Sequence, residues 1–229
     1  MNNLHPTQIS ILQKLMYANG LKFSQLKPAR IGGGKFSFHL EKLAQDGWIK
    51  KNDLLYLLTD KGKELAGRMD LGDKTVRNQA KISAVMVCID NRNSEEKFLL
   101  YTRLKSPFYK YQGFPTGKVH EGEEILAAAR RELNEEVKLK GTPQVIGILH
   151  SRILNHRKEL LEDKIFFICK FLNPKGSLKS GPEGKYKWVP KTEISRYLQK
   201  PVQEIKDFIY MLDQPEITFL EKSYVVSEF

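Results

Sequence analysis

The chain has 229 residues, of which 41% are apolar and 28% are charged, and this composition excludes the disordered and fibrous classes. Because it lacks a long apolar run, a secretory-signal pattern and enough cysteines for a disulfide framework, we expect a cytoplasmic protein with no membrane partner. The net charge of +11 favours polyanionic partners, such as nucleic acid or phosphorylated metabolites, as much as it favours a generic solvated surface.

Residues 1–70 read as short helices followed by one hairpin. The apolar spacing of Ile9, Leu12, Leu15 and Met16 is that of a helical stripe. In chain order we predict a helix opened by Pro6 and stopped at Asn19-Gly20, a short helix after Ser24, a helix over about 35–45, a β-hairpin over 48–58 with its turn at Asn52-Asp53, and a helix from Asp60 to about Arg68.

This order of elements resembles a winged helix-turn-helix domain, which we place at residues 1–70. The resemblance is carried by residues 38–43, 46–49 and 58–62. It implies that the third helix enters the major groove of duplex DNA and that the wing contacts the phosphate backbone. The nucleic-acid contacts would be Lys35, His39, Lys42, Lys50 and Lys51. Winged helices also serve as protein-interaction or substrate-positioning modules, in which such lysines are plain surface charge.

Residues 71–79 lack apolar periodicity and are predicted to link the first domain to a second one at residues 80–229. The second domain changes to strands, and a mixed sheet packed by helices fits its pattern. The predicted strands are 81–90, 97–103, 145–153 and 164–172, and the predicted helices are 125–137, about 191–198 and 202–212. Residues 217–220 and 224–226 are candidate strands that could be exchanged or paired in a homodimer.

Three glutamates share one face of the predicted helix over 125–137. At 100° per residue, Glu132, Glu135 and Glu136 fall within an arc of about 100°. Their mutual repulsion costs about 0.2–0.5 kcal/mol for each pair, and a bound divalent cation would reverse the sign of that interaction. Hard oxygen ligands of this kind suit Mg²⁺ or Mn²⁺. The alternative is a solvated acidic helix face.

The surrounding residues favour the metal site. Gly117 permits a sharp turn whose backbone carbonyl could also reach the metal. Arg131 can brace a carboxylate with a bidentate contact, and Glu123 is the expected partner.

The complete spacing resembles the Nudix box of hydrolases that act on nucleoside-diphosphate-linked compounds. It consists of Gly117, five residues, Glu123, seven residues, Arg131-Glu132-Leu133, one residue, and Glu135-Glu136. One position departs from the family pattern, because Lys138 stands where the family has glycine. That glycine helps the chain to leave the helix, so the departure concerns the local turn rather than the carboxylates.

The Nudix resemblance implies an α/β (α+β) fold, namely an α/β/α sandwich with a mixed sheet. It also implies Mg²⁺-dependent (or Mn²⁺-dependent) attack of water on a phosphorus of a pyrophosphate linkage. Glu132, Glu135, Glu136 and the carbonyl of Gly117 would hold the metal, with Arg131 and Glu123 completing the catalytic set. The general base differs among family branches, and the candidates here are Glu132, Glu162, Asp163 and Glu183.

Cations and aromatic residues near the box are candidate substrate contacts. Lys105, Lys110 and Lys118 could hold anionic phosphates. A base could stack on Tyr111 or Phe114, or on Tyr109 or Trp188, although an aromatic residue beside a sheet more often belongs to the core.

Three functions remain open at this point. The leading hypothesis is a pyrophosphohydrolase that cleaves a nucleotide-type small molecule and carries a winged-helix domain for duplex DNA. A transcriptional regulator whose Nudix domain senses ADP-ribose or a similar nucleotide is the second. Because residues 113–118 are weakly similar to the RNA-decapping branch of the family, an RNA-directed hydrolase is the third.

Overall fold

The computed structural model describes residues 4–67, 79–93, 95–181 and 183–228. Its internal contacts divide the chain into two units, residues 1–78 and 79–229. The predicted linker lies almost entirely outside the described residues, as does Arg68 at the end of the predicted fourth helix. None of the described helices combines the length and the apolar character needed to cross a bilayer.

The first unit contains the predicted helices and hairpin. Its elements are α1 (Pro6–Met16), β1 (Leu21–Lys22), α2 (Phe23–Leu26), α3 (Gly33–Gln45), β2 (Ile49–Asn52), β3 (Leu55–Leu58) and α4 (Asp60–Gly67). The two-residue strand β1 was not predicted; it pairs with β3, which gives an antiparallel sheet in the order β1-β3-β2. The apolar stripe of α1 and the inner face of α3 form the core, where Leu12, Phe36 and Leu43 are fully buried.

Thr59 and Gly62 fix the start of helix α4 and its position against the hairpin. Thr59 Oγ1 accepts a hydrogen bond from the backbone N–H of Gly62 at 3.0 Å, which satisfies one free donor of the helix. A Cβ at Gly62 would overlap the carbonyl oxygen of Trp48, so the helix lies this close to the hairpin only because residue 62 is glycine.

The second unit is built on one eight-stranded mixed sheet, and β8 and β11 form a separate antiparallel pair. The strands and helices of the unit are β4 (Lys81–Asp90), β5 (Lys97–Arg103), β6 (Gln112–Gly113), β7 (Thr116–Lys118), α5 (Ile125–Val137), β8 (Leu139–Lys140), β9 (Pro143–Leu154), β10 (Leu160–Leu172), β11 (Lys175–Gly176), β12 (Gly184–Pro190), a 3₁₀ turn over Lys191–Glu193, α6 (Ile194–Tyr197), α7 (Ile205–Leu212) and β13 (Thr218–Val225).

The sheet runs in the order β12-β5-β4-β10-β9-β13, with β6 beside β5 and β7 beside β4. The pairs β10–β4 and β13–β9 are parallel and the other pairs are antiparallel, so the sheet is mixed as predicted. Helix α5 covers one face, where Leu133 packs with the strand residues Met86 and Cys169. Helix α7 covers the other face, where Phe208 packs with Val85. Cys169 and Cys88 are buried free thiols.

Two parts of this unit differ from the sequence analysis. Residues 217–220 and 224–226 were candidates for strands that could be exchanged or paired in a homodimer. Most of them lie in the single strand β13 (Thr218–Val225), which pairs with β9 of the same chain, while Ile217 and Val226 lie just outside it. No element was predicted for residues 185–190, which form most of the edge strand β12 on β5. Its Lys-Tyr-Lys-Trp alternation is the period-two signal of a strand and could have identified it.

Candidate active site

Helix α5 places its glutamates on the side that faces away from the core. Its buried side chains are Ala128, Ala129, Leu133 and Val137, and the last three belong to the core cluster against the sheet. Glu132 and Glu136 are half-buried, and Glu135 is exposed. The predicted separation of an apolar face from a carboxylate face is therefore present in the folded helix.

Strand β7 brings Gly117 directly beneath the helix. Gly117 pairs with Ala84 of β4 and is buried. A Cβ at position 117 would lie 2.6 Å from Cβ of Glu132, and nearer still to Cγ and Cδ of that side chain. The glycine of the motif is therefore needed because any larger residue would displace Glu132.

Arg131 connects the carboxylates. Its Nε and Nη2 donate to the two oxygens of Glu123, each at 2.8 Å, which is the predicted bidentate contact. Its Nη1 donates to Glu132 Oε1 at 2.9 Å and to Glu135 Oε2 at 3.1 Å, and its Nη2 also reaches the carbonyl of Lys118 at 2.9 Å. These bonds lower the pKa of Glu123 to about 2, chiefly through the hydrogen bonds from Arg131.

Glu136 has a different partner, which sequence reasoning missed. The Tyr186 hydroxyl on β12 donates to Glu136 Oε2 at 2.7 Å, and the ring of Tyr186 stacks on Tyr101 of β5 at a centroid distance of 5.7 Å. Burial raises the pKa of Glu136, an effect that the hydrogen bond from Tyr186 opposes. Burial also raises the pKa of Tyr186, so its hydroxyl remains a donor at neutral pH.

The carboxylate oxygens of the α5 glutamates are suited to bind a hard divalent cation. Glu132, Glu135 and Glu136 each accept a hydrogen bond at one oxygen from Arg131 or Tyr186, and the other oxygen of each has no hydrogen bond within the described residues. Carboxylate oxygens of this kind are the usual protein ligands of Mg²⁺. Across the described ranges, however, no three acidic, histidine or cysteine side chains already converge as a metal cluster.

Positively charged side chains lie near these carboxylates. Lys105 is close enough to Glu132, Glu136, Lys118 and Arg103 for each of their charges to affect its pKa, which burial lowers. Lys105 and Lys118, two of the predicted phosphate contacts, belong to this group, and so does Arg103, which was not predicted. The signal that could have drawn attention to it is an Arg at the end of a predicted strand, two residues before Lys105.

Glu183, a candidate general base, also lies beside Lys105. Its carboxylate forms an ion pair with Lys105, and its backbone carbonyl accepts a hydrogen bond from Leu104 N–H at 2.9 Å. The other candidates on β10 have cationic partners of their own. Glu162 is buried against Lys81 and Lys164, and Asp163 contacts His150 at 2.8 Å.

Comparison with protein-family models matches residues 80–210 to the NUDIX domain, which is more than half of the chain. The chain belongs to the Nudix family. Nudix domains hydrolyse pyrophosphate bonds, generally with a divalent metal such as Mg²⁺, although some members are not catalytic.

Solved structures with the same fold include a MutT protein and a Nudix domain of a protein named NrtR. The MutT protein from Bacillus halodurans is 22% identical with a TM-score of 0.54, over 65% of this chain and 93% of that one. The domain from Shewanella oneidensis NrtR, crystallised with ADP ribose, is 17% identical with a TM-score of 0.51, over 68% of this chain and 97% of that one. At these identities the similarity establishes the fold alone. A comparison with curated protein sequences gave no match.

At Lys138, the position that departs from the Nudix pattern, the chain still makes the left-handed turn that ends the helix. Lys138 ends α5 in the left-handed region, with φ 61° and ψ 26°, and its N–H donates to the carbonyl of Asn134 at 3.2 Å. This is the backbone conformation for which glycine is favoured at a helix end. The lysine therefore makes this turn less favourable than glycine would, but the backbone follows the same path.

Two predicted stacking residues of the Nudix unit are in the core. Phe114 is 1% exposed and packs near Phe98, and Tyr111 is 7% exposed beneath Lys200. Neither ring offers a free face for a nucleobase, so their proposed role in binding the substrate is withdrawn. Lys110 is exposed at a positive φ of 66°, with its Nζ 5.5 Å from the centre of the Tyr109 ring.

One predicted nucleic-acid contact in the first unit is also corrected. His39 is 5% exposed and stacks on His5 at 4.4 Å, because it lies on the inner side of α3. Lys42 forms an ion pair with Asp46 at 3.0 Å. The remaining predicted contacts, Lys35, Lys50 and Lys51, are exposed.

Proposed function

We propose that the protein is a Mg²⁺-dependent or Mn²⁺-dependent Nudix pyrophosphohydrolase that cleaves a nucleoside-diphosphate-linked substrate by attack of water on phosphorus. One observation carries the proposal. The glutamates of α5 lie above Gly117 with Arg131 holding Glu132 and Glu135, and a group of cations lies beside them. This juxtaposes ligands for a divalent metal with ligands for phosphate.

One set of residues would bind the metal and another set would bind the substrate. Glu132, Glu135 and Glu136, with the carbonyl of Gly117, would hold the metal, which when bound polarises the pyrophosphate and lowers the pKa of water. Lys105, Lys118 and the unpredicted Arg103 would bind the anionic phosphates, with Lys110 at the edge of the same loop.

Glu183 is our candidate for the general base. It lies beside Lys105, so it could accept a proton close to the phosphates that the lysine binds. Glu162 and Asp163 are less suited, because their described contacts are with Lys81, Lys164 and His150 rather than with Lys105 or the glutamates of α5.

A substrate panel tests the proposal. The full-length protein should release a nucleoside monophosphate from ADP-ribose, a dinucleoside polyphosphate or a nucleotide sugar when Mg²⁺ is added. Glu135→Gln combined with Glu136→Gln should reduce turnover at least about 100-fold, because two metal-ligating charges are removed. The control is Glu193→Gln with Glu216→Gln, two exposed glutamates outside the site. Equal turnover by the two double variants would contradict the proposal, and capped RNA in the panel tests the RNA-directed alternative.

For the first unit we propose a winged helix-turn-helix domain at residues 1–70 that binds duplex DNA, joined by residues 71–79 to the Nudix domain at 80–229. The support is the arrangement of three helices, a hairpin and a final helix, with Lys35 on α3 and Lys50 and Lys51 on the hairpin exposed. Phosphate contacts from these lysines would make binding strongly dependent on salt.

DNA binding is tested by fluorescence anisotropy on duplexes of unrelated sequence. Lys50→Ala with Lys51→Ala should weaken binding to every duplex and reduce the salt dependence by about two phosphate contacts. Lys175→Ala with Lys179→Ala, a pair of exposed lysines in the second unit, is the control. No binding by the native protein at low salt would favour a protein-interaction module.

A nucleotide-sensing regulator is the second candidate for the whole chain. It is favoured by the combination of a helical unit of this topology with a Nudix domain whose fold matches that of NrtR, which was crystallised with ADP ribose. A regulator of this type should bind ADP-ribose without hydrolysing it, and the ligand should change the affinity for DNA. Rapid hydrolysis with unchanged DNA affinity would exclude it.

A further inference from the structure

Each of the three helix glutamates has one oxygen fixed by a donor from the same chain. Arg131 Nη1 holds Glu132 Oε1 at 2.9 Å and Glu135 Oε2 at 3.1 Å, and the Tyr186 hydroxyl holds Glu136 Oε2 at 2.7 Å. The two donors differ in charge. Arg131 neutralises part of the negative charge of its partners, whereas the phenol orients Glu136 and leaves its charge intact.

The Tyr186 hydroxyl is held rigidly. Tyr186 lies directly opposite Tyr101 in the β12–β5 pairing, and the two rings are nearly parallel, at 17°. The backbone N–H of Tyr186 also donates to Ser180 Oγ at 3.1 Å. With its side chain 8% exposed, the ring has little freedom to turn away from Glu136. An edge strand far from the Nudix box in sequence thus determines where one of its carboxylates points.

We propose that Tyr186 is a positioning residue for the metal ligand Glu136. This inference rests on the proposed function, since it assumes that Glu136 binds the divalent ion. By holding Oε2, the phenol leaves Oε1 available to a metal and restricts the rotamer freedom that Glu136 would otherwise lose on binding. Partners of this kind around a metal ligand typically change metal affinity by about 10–100-fold.

Metal affinity, rather than turnover alone, tests the inference. The full-length protein is titrated with Mn²⁺ and free ion is measured by electron paramagnetic resonance, with urea unfolding recorded for each variant. Tyr186→Phe removes one oxygen and should weaken Mn²⁺ binding about 10-fold or more. Tyr224→Phe is the matched control, because it also removes a hydroxyl that donates to a carboxylate, Asp207 Oδ2 at 2.6 Å, but on the opposite face of the sheet. It should leave Mn²⁺ affinity unchanged.

A second variant separates hydrogen bonding from packing. p-Aminophenylalanine at position 186 places an N–H donor where the hydroxyl stands and should bind Mn²⁺ within about twofold of the native affinity if the hydrogen bond matters. If packing alone matters, it should bind Mn²⁺ no more tightly than Tyr186→Phe. Should Tyr186→Phe fail to fold, p-methylphenylalanine at this position fills the space of the hydroxyl without a donor; a loss of affinity of about 10-fold supports the inference, and native affinity overturns it.

The outcomes also separate this inference from the proposed function. Native protein that takes up no Mn²⁺ would contradict the proposed function itself. Native protein that binds Mn²⁺ with an affinity equal to that of folded Tyr186→Phe would overturn the role of Tyr186 and leave the hydrolase proposal intact.

Discussion

Gly117 and Glu132 lie in direct contact, with the side chain of Glu132 occupying the space that a side chain at position 117 would need. The two residues are separated by 14 positions that contain a turn and most of two helical turns. Their contact explains why the motif begins with glycine: the residue sets the distance between the carboxylate helix and the sheet.

Gly117→Ala should therefore displace Glu132. We expect a loss of about 1–3 kcal/mol in the free energy of unfolding, the usual cost of overpacking, together with weaker Mn²⁺ binding. Urea unfolding and metal titration measure the two effects. Gly181→Ala, where an added Cβ meets nothing within 4 Å, is the control and should change neither. A Gly117→Ala protein of native stability and metal affinity would contradict this close packing.

Lys138→Gly should stabilise the second unit. Lys138 holds φ at 61°, a conformation that costs a residue with a side chain about 1 kcal/mol and costs glycine almost nothing. We expect the free energy of unfolding in urea to rise by about 0.5–1 kcal/mol. Lys140→Gly, in strand β8, should do the opposite, since glycine weakens a strand. A destabilised Lys138→Gly variant would show that the lysine side chain makes a compensating contribution.

The pair Glu123–Arg131 should make stability depend on pH at the acidic end. Arg131 lowers the pKa of Glu123 from 4.5 to about 2, so the unfolded chain takes up this proton at a higher pH than the folded chain. The stabilisation is thus fully present above pH 4.5 and is lost as the pH falls toward 2. In metal-free buffer, the difference in Tm between the native protein and Glu123→Gln should be constant above this window and shrink within it. A difference independent of pH would argue against the ion pair.

His39 should make the first unit sensitive to mild acid. Burial lowers its pKa below the ordinary value of 6.5, and the charges of His5 and Lys35 act in the same direction. The unfolded chain therefore binds the proton first, and stability present above pH 6.5 is lost as the pH falls below that value. His39→Leu should remove this dependence.

The same substitution should also raise stability at neutral pH, because neither ring nitrogen of His39 has a hydrogen-bond partner within the described residues. Tm measured between pH 5 and 8 tests both effects, with His156→Leu at an exposed site as control. If the His39→Leu variant kept the same acid sensitivity, a titratable group other than His39 would be its cause.

Local patterns in the sequence were sufficient for the main elements and for the carboxylate motif. The predicted helix over 125–137 and strands over 81–90 and 97–103 have the bounds that the structure gives them, because their apolar periodicity is decided within a few residues. The contact between Arg131 and Glu123 could be anticipated for the same reason, since both residues lie on or next to one helix.

Burial and partners across strands depended on the tertiary structure. Phe114 and His39 are buried because other elements of the fold pack over them. The residue type alone does not show whether such a ring faces solvent or the core. Tyr186 and Glu136 are 50 residues apart, and only the pairing of β12 with β5 brings them together. The sequence by itself therefore determined the carboxylate helix, whose geometry follows from a fixed local period. The tertiary structure alone decided which distant side chains orient its charges, because sheet pairing joins segments without a local signal of their contact.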